Sequence, residues 1–178
     1  MTTSDIFRDS RVAHVRELKG EVASLKQQLA AARTELAEWQ AHFPLAVMAY
    51  DEARALPPGG RLVVVDGWNM LLNTRFRTRD GLLECVRSYL AAHPLDRAWI
   101  VMDGADAKAL EGDRLRLSYT GGTGLHRADR MVADFLRALK LSGSSMRVAV
   151  VTGDRDFMDE AVRLGAEGWS RDEFADLC

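Results

Sequence analysis

RLVVVDGWN (61–69) is the stretch on which the fold turns. It is a short β-branched run that stops at an aspartate, and RAWIVMD (97–103) repeats the pattern. MRVAVVTGD (146–154) does so again, and LRLSYT (115–120) alternates as a further strand. AEGWS (166–170) suits a short fifth strand before a last turn, RDEFADL. Between these runs, DGLLECVRSYLAAH (80–93), ADRMVADFLRALKL (128–141) and FMDEAVRLG (157–165) carry helical periodicity, the last ending at a glycine cap. Strands alternating with helices predict an α/β domain whose parallel sheet is covered on both faces. Its crossovers should be right-handed, and its site should gather outside the carboxyl ends of the strands.

Working back toward the N-terminus, Pro57-Pro58-Gly59-Gly60 punctuates the chain and marks a domain boundary. Before it, residues 45–56 read as a helical stretch restarted at Pro44. Earlier still, Val15, Leu18, Val22, Leu25, Leu29, Ala32, Leu36, Trp39 and Phe43 follow one another in steps of three and four. That heptad spacing predicts a coiled coil. Glu21 and Gln28 fall at g, Lys26 and Arg33 at e, so a parallel pair would set Glu21 against Lys26 of its partner. The expected organisation is a coiled-coil helix over 1–43, a connecting helix and linker over 44–60, and the α/β domain over 61–178. A homodimer is the expected assembly. The alternative is an amphipathic helix lying on its own domain.

Three expected strands end in acid, at Asp66, Asp103 and Asp154, and Asp129 opens the helix after LRLSYT. A parallel sheet presents these positions on one rim. Carboxylates gathered there repel one another unless a cation neutralises them. Oxygen ligands suit hard ions such as Mg²⁺ or Mn²⁺, which can lower the pKa of a bound water and stabilise a leaving oxygen, the needs of phosphodiester hydrolysis. An aspartate after a strand also caps helices and forms turns, so any one of them taken singly reads as structural. Asn69 can orient a water or a phosphate, or simply form the turn in DGWNM. Thr152 can donate to a carboxylate. Asp156 suits a helix cap, Glu84 faces the rim or the solvent, and His126 reads as a loop histidine.

Other chemistries lack their residues. GGTG (121–124) is not followed by Lys-Ser/Thr, so there is no P-loop. There is no G-x-S-x-G elbow, no zinc spacing among the four histidines, and no second aspartate beside Asp66 for aspartyl-phosphate chemistry. Cys85 and Cys178 are too far apart in the chain to suggest a disulfide framework, so a reducing compartment is expected. The N-terminus lacks an apolar signal region and no run is long enough to span a membrane, so the expected location is the cytoplasm.

In order and spacing these motifs resemble the PIN-like nucleases, in particular the NYN group and its YacP-like branch. VVVDGWNMLL resembles the family's opening strand and WIVMDG its second strand-end acid. HRADRMVADFL is similar to the T-A-D-x-x-I segment, with Arg127 where Thr is usual, and VVTGDRDF to the S/T-x-D-x-D-F element. The likeness covers about residues 61–176. It implies a three-layer α/β/α sandwich with a mainly parallel sheet and a metal-dependent endoribonuclease, with Mg²⁺ or Mn²⁺ as cofactor. By position it implies Asp66, Asp129 and Asp154 as metal ligands, supported by Asn69 and Asp103. The coiled coil is an addition to that family pattern.

The formal charge of −2, from 24 Lys+Arg and 26 Asp+Glu, argues at first against a polyanion partner. Its distribution does not. Residues 74–152 carry 13 basic and 9 acidic side chains, whereas 153–178 carry 3 and 8. Arg75 and Arg77, with Arg79, form a basic cluster after the first strand, and Arg114, Arg116, Arg127 and Arg130 flank the rim. Such groups hold nucleic-acid phosphates without reading sequence. Arg75, Arg77, Arg127, Arg130 and Thr152 are the expected substrate contacts, and Trp68 either stacks on a base or is buried. Two other functions fit the same residues: an RNA-binding adaptor that no longer catalyses, and a toxin-type nuclease.

Overall fold

The computed structural model describes the backbone of residues 3–42, 44–72, 76, 78–105, 107–112, 114–122 and 126–178. Side chains are described for 14–34, 48–49, 51–72, 76, 78–105, 112, 114–122 and 126–178. In chain order the elements are α1 (Thr3–His42), α2 (Pro44–Ala55), β1 (Arg61–Asp66), α3 (Gly67–Leu71), α4 (Arg79–Ala92), β2 (Arg97–Met102), β3 (Ala107–Glu111), β4 (Leu115–Thr120), α5 (Arg127–Leu141), β5 (Arg147–Val151), α6 (Arg155–Arg163), β6 (Glu167–Trp169) and α7 (Arg171–Asp176). The chain divides into two compact units, Met1–Pro44 and Leu45–Cys178. Among the described residues no helix is long and apolar enough to cross a membrane.

The six strands form one sheet in the order β3-β4-β2-β1-β5-β6. All neighbours are parallel except the β3–β4 hairpin, which adds an antiparallel edge. The expected fold class is therefore the observed one, extended by one strand. AKALE in β3 has little strand propensity of its own; its pairing with β4, Leu110 opposite Leu117, makes it a strand.

Alternate residues of the apolar runs serve opposite faces, the period-two rule of a strand. Leu62, Val64, Trp99, Val101, Val148 and Val150 pack on α5 and α6, with Ala49 of α2 joining them. Val63, Val65, Ile100, Met102 and Val151 pack on α3, α4 and Phe174 of α7. Three layers result. The Trp99 indole, fully buried, donates to Ser118 Oγ at 3.0 Å, so its polar edge is satisfied inside the core. At the amino ends of the strands, the buried Glu52 of α2 accepts from Arg97 at 3.0 Å and meets Arg116 at 3.3 Å, which fastens α2 to the sheet.

Two departures from the sequence reading follow from tertiary proximity. Cys85 and Cys178 are joined in a disulfide, with Cα atoms 5.0 Å apart across a sequence separation of 93. The expectation of unbonded cysteines is thus corrected: Cys85 faces out of α4 toward the chain end, which α7 brings back against it. Closing so long a loop restricts the unfolded chain and contributes about 2–4 kcal/mol. DGWNM, where a turn is the alternative role for Asn69, forms the short helix α3, capped by the Asp66 side chain.

The order of the strands locates a crevice. From β1 the chain moves to β2 on one side by way of α3 and α4, on one face of the sheet. It reaches β5 on the other side by way of α5, on the opposite face. Connections leaving in opposite directions open a gap at the carboxyl end of the central strand, where doubly wound sheets hold their ligands. Asp66 is the residue at that end.

Candidate active site

Asp66 is buried at the floor of the crevice. Its Oδ1 accepts from the Asn69 backbone N–H at 3.2 Å. Its Oδ2 accepts from Asn69 Nδ2 at 2.5 Å and from Thr152 Oγ1 at 3.0 Å. Burial raises this carboxyl above its ordinary value, against the bonds from Asn69 and Thr152, and the charge of Asp103 adds to the rise. Asn69 thus orients the acid directly. Thr152 faces inward: its hydroxyl also accepts the Asp154 N–H at 3.1 Å, so it couples the two acids at the ends of β1 and β5.

Asp154 caps α6, accepting from the Phe157 N–H at 3.1 Å. The structural and chemical readings of this residue hold together, since one oxygen caps and the other is left for the crevice. Asp129 sits in the first turn of α5. Burial raises its carboxyl above the ordinary value; a hydrogen bond with His126 opposes this, while the charges of Asp66 and Asp154 add to it. Asp129 is thus within electrostatic reach of both other acids.

His126 is the member that sequence reading set aside. Its backbone is left-handed, φ 56°, and its Nδ1 lies 3.0 Å from Asp129 Oδ2. Ligand atoms of His126, Asp129 and Asp154 all lie within 4.8 Å of one another. The signal available in the sequence was the three-residue spacing of His126 and Asp129 at a helix start.

Asp103 has a different occupation. Its Oδ1 accepts from the Ala128 N–H at 2.9 Å and from Thr120 Oγ1 at 3.1 Å, with Arg127 Nε 3.8 Å away. It pins the start of α5, and so the position of Asp129. Arg127 is turned the same way, donating to Thr120 Oγ1 at 3.2 Å and to the Gly104 carbonyl at 2.9 Å. Its guanidinium stabilises the loop after β2. Trp68 is 51% exposed, with its indole N–H donated to the Asp103 carbonyl at 2.8 Å, so one ring edge is fixed while much of the ring is open to solvent. Arg130 is exposed and lines a groove of about 290 Å³ with His126, Asp129 and Asp154. Arg75 and Arg77 lie outside the described residues, and Glu84 is exposed on α4.

The arrangement defines a class: a doubly wound α/β domain with an acidic crevice at its switch point. No family model and no curated protein sequence matches the chain. Solved structures of Rae1 (YacP) from Bacillus subtilis are similar to it. One, of a single-substitution variant, has 21% identity and a TM-score of 0.49, covering 65% of this chain and 72% of that one. Another, without the substitution, has 21% identity and a TM-score of 0.46, covering 65% and 71%.

Proposed function

We propose that the α/β domain is a metal-dependent endoribonuclease. The observation that carries this reading is the meeting of Asp129, Asp154 and His126 beside the buried Asp66 in the switch-point crevice. The donor set fits a hard divalent cation: burial and mutual charge make the ionised forms of these carboxylates costly, and a positive ion beside them offsets that cost. Asp129 and Asp154, with Asp66 behind them, would hold Mg²⁺ or Mn²⁺. The ion, when bound, supplies acidification of a water and stabilisation of the leaving oxygen.

The protein's own groups supply the rest. Asn69 and Thr152 fix Asp66, Asp103 fixes the α5 start, and Arg130 offers charge to a phosphate on the α5 side. The open ring of Trp68 suits base stacking, which favours a single-stranded substrate. A cytoplasmic site of action is part of the same proposal. Incubation of the chain with single-stranded RNA and Mn²⁺ tests the reading. Wild type should cleave internally and stop on chelation, and Asp66→Asn should not cleave. Binding without turnover at any metal concentration would replace the nuclease with an adaptor.

We further propose that α1 pairs with α1 of a second copy. Val15, Leu18, Val22, Leu25 and Leu29 are exposed by 44–62%, an apolar stripe at heptad spacing with opposite charges at g and e. Leu36, Trp39 and Phe43, which extend the pattern, lie outside the described side chains. Sedimentation should give a dimer for the full chain and a monomer for a chain lacking residues 1–43. A monomeric full chain would refute the pairing.

A further inference from the structure

We propose that Arg171 grips a substrate phosphate on the β5 side of the acidic cluster. The proposal rests on the nuclease reading and adds the cation that reading lacks there. Arg171 begins α7, far in sequence from Asp66 and on a different helix from Asp154, yet its side chain returns to the crevice. Its Nη1 donates to the Asn69 carbonyl at 3.4 Å. Its side chain passes close over Gly153: a Cβ there would come within 2.5 Å of Nε and 2.8 Å of Cζ. The charge is therefore suspended between the ends of β1 and β5, next to Asp154. It lines a groove of about 370 Å³ with Thr152, Asp154, Arg155, Asp159 and Asp172.

Charge balance separates this arginine from others that are already paired. Arg97 is bound to Glu52, Arg127 to Asp103, Arg137 to Asp134 and Glu160, and Arg147 to Glu167. Among the described residues Arg171 meets no carboxylate within ion-pair distance, and its one hydrogen bond is long. A half-buried guanidinium with unused N–H groups, facing a groove that also holds a candidate metal ligand, fits a bidentate phosphate oxygen pair. Asp154 belongs to this groove and to the one lined by His126 and Arg130. A strand crossing Asp154 would have Arg171 on one side of the acid and Arg130 on the other.

Gly153 supplies a test that leaves the charge in place. Its backbone is not in the left-handed region, so alanine is accepted, but the added methyl must push the guanidinium aside. Binding of a single-stranded RNA oligonucleotide would be measured by anisotropy across a salt series. The full chain carries Asp66→Asn to keep the RNA intact, with Mn²⁺ present. Arg171→Ala and Gly153→Ala should each weaken binding about tenfold or more, the loss of one charge-assisted bond. The slope of log K against log salt should fall by about 0.7 with Arg171→Ala, one phosphate contact on a single strand. Arg147→Ala, which removes equal charge at the opposite end of β5, should change neither. In the cleaving chain, Arg171→Ala should raise KM with little change in kcat.

Equal binding by Arg171→Ala and Arg147→Ala, while Asp66→Asn remains silent in cleavage, overturns the Arg171 assignment alone. Cleavage by Asp66→Asn at the wild-type rate overturns the nuclease reading instead. A single-stranded DNA arm reports whether the grip depends only on the phosphate, as equal loss on both polymers would show.

Discussion

Replacing Asp129 with asparagine should lower RNA cleavage by about a thousandfold or more, the several kcal/mol that a correctly held cation contributes to a phosphoryl transition state. The same substitution should not weaken the fold at neutral pH. Burial and the charges of Asp66 and Asp154 raise the Asp129 carboxyl in the folded chain. The unfolded chain therefore releases this proton at lower pH than the folded chain does. Wild-type stability falls as pH rises through that window and stays lowered above it. Asparagine removes this contribution, so the variant's Tm should match or exceed wild type at pH 7. The difference should vanish as pH falls below the ordinary aspartate value. Added Mn²⁺ should reverse the ranking. At a hundredfold excess over its Kd, a cation that binds only the folded chain adds about 2.7 kcal/mol. That is roughly 5–10 °C for a chain of this length, and the gain should be absent in Asp129→Asn. Thermal melts at several pH values, with and without the metal, check this. Cleavage within tenfold of wild type would remove Asp129 from the mechanism.

Phe174→Ala should be the most damaging change outside the crevice. Phe174 is fully buried and is the one residue of α7 in the core, with its ring 5.3 Å from Tyr89 and 6.3 Å from Trp169 between centroids. Truncating such a side chain costs about 3–5 kcal/mol, a drop in Tm of roughly 6–20 °C at this size. The capping box of Ser170 and Glu173 keeps α7 helical, but the helix is too short to dock without its aromatic anchor. Since α7 carries Arg171, RNA affinity should fall as well, even at temperatures where the rest of the domain is folded. A melting point within 2 °C of wild type would mean that α7 is held by other contacts, with the disulfide the first to examine.

How much of this was legible in the sequence varies with range. Leu62–Val65 could be read as a doubly covered strand because burial on both faces imprints itself on consecutive residues. Ala107–Glu111 could not, because its strand state comes from pairing with β4 rather than from its own side chains. The acids were legible as a set because each follows a strand or opens a helix, positions that parallel topology brings to one rim. Their division of labour was not. Asp103 and Arg127 bear the same charges as the groups proposed to hold metal and phosphate, and only their bonds to Thr120, Ala128 and Gly104 reveal how they are held. Arg171 and the Cys85–Cys178 bond share a reason for being missed. Each joins positions 93 or more residues apart, with no local pattern to announce the contact.

The central place of β1 has a consequence for the timing of synthesis. Asp66 is made early, but the wall of the crevice on the β5 side, with Thr152 and Asp154, begins only 86 residues later. A nascent polypeptide that has emerged only as far as α5 carries the other acids with one side of β1 still open. The acidic crevice is incomplete at that stage. On the proposed reading, any cleavage of RNA must wait until β5 has closed on β1.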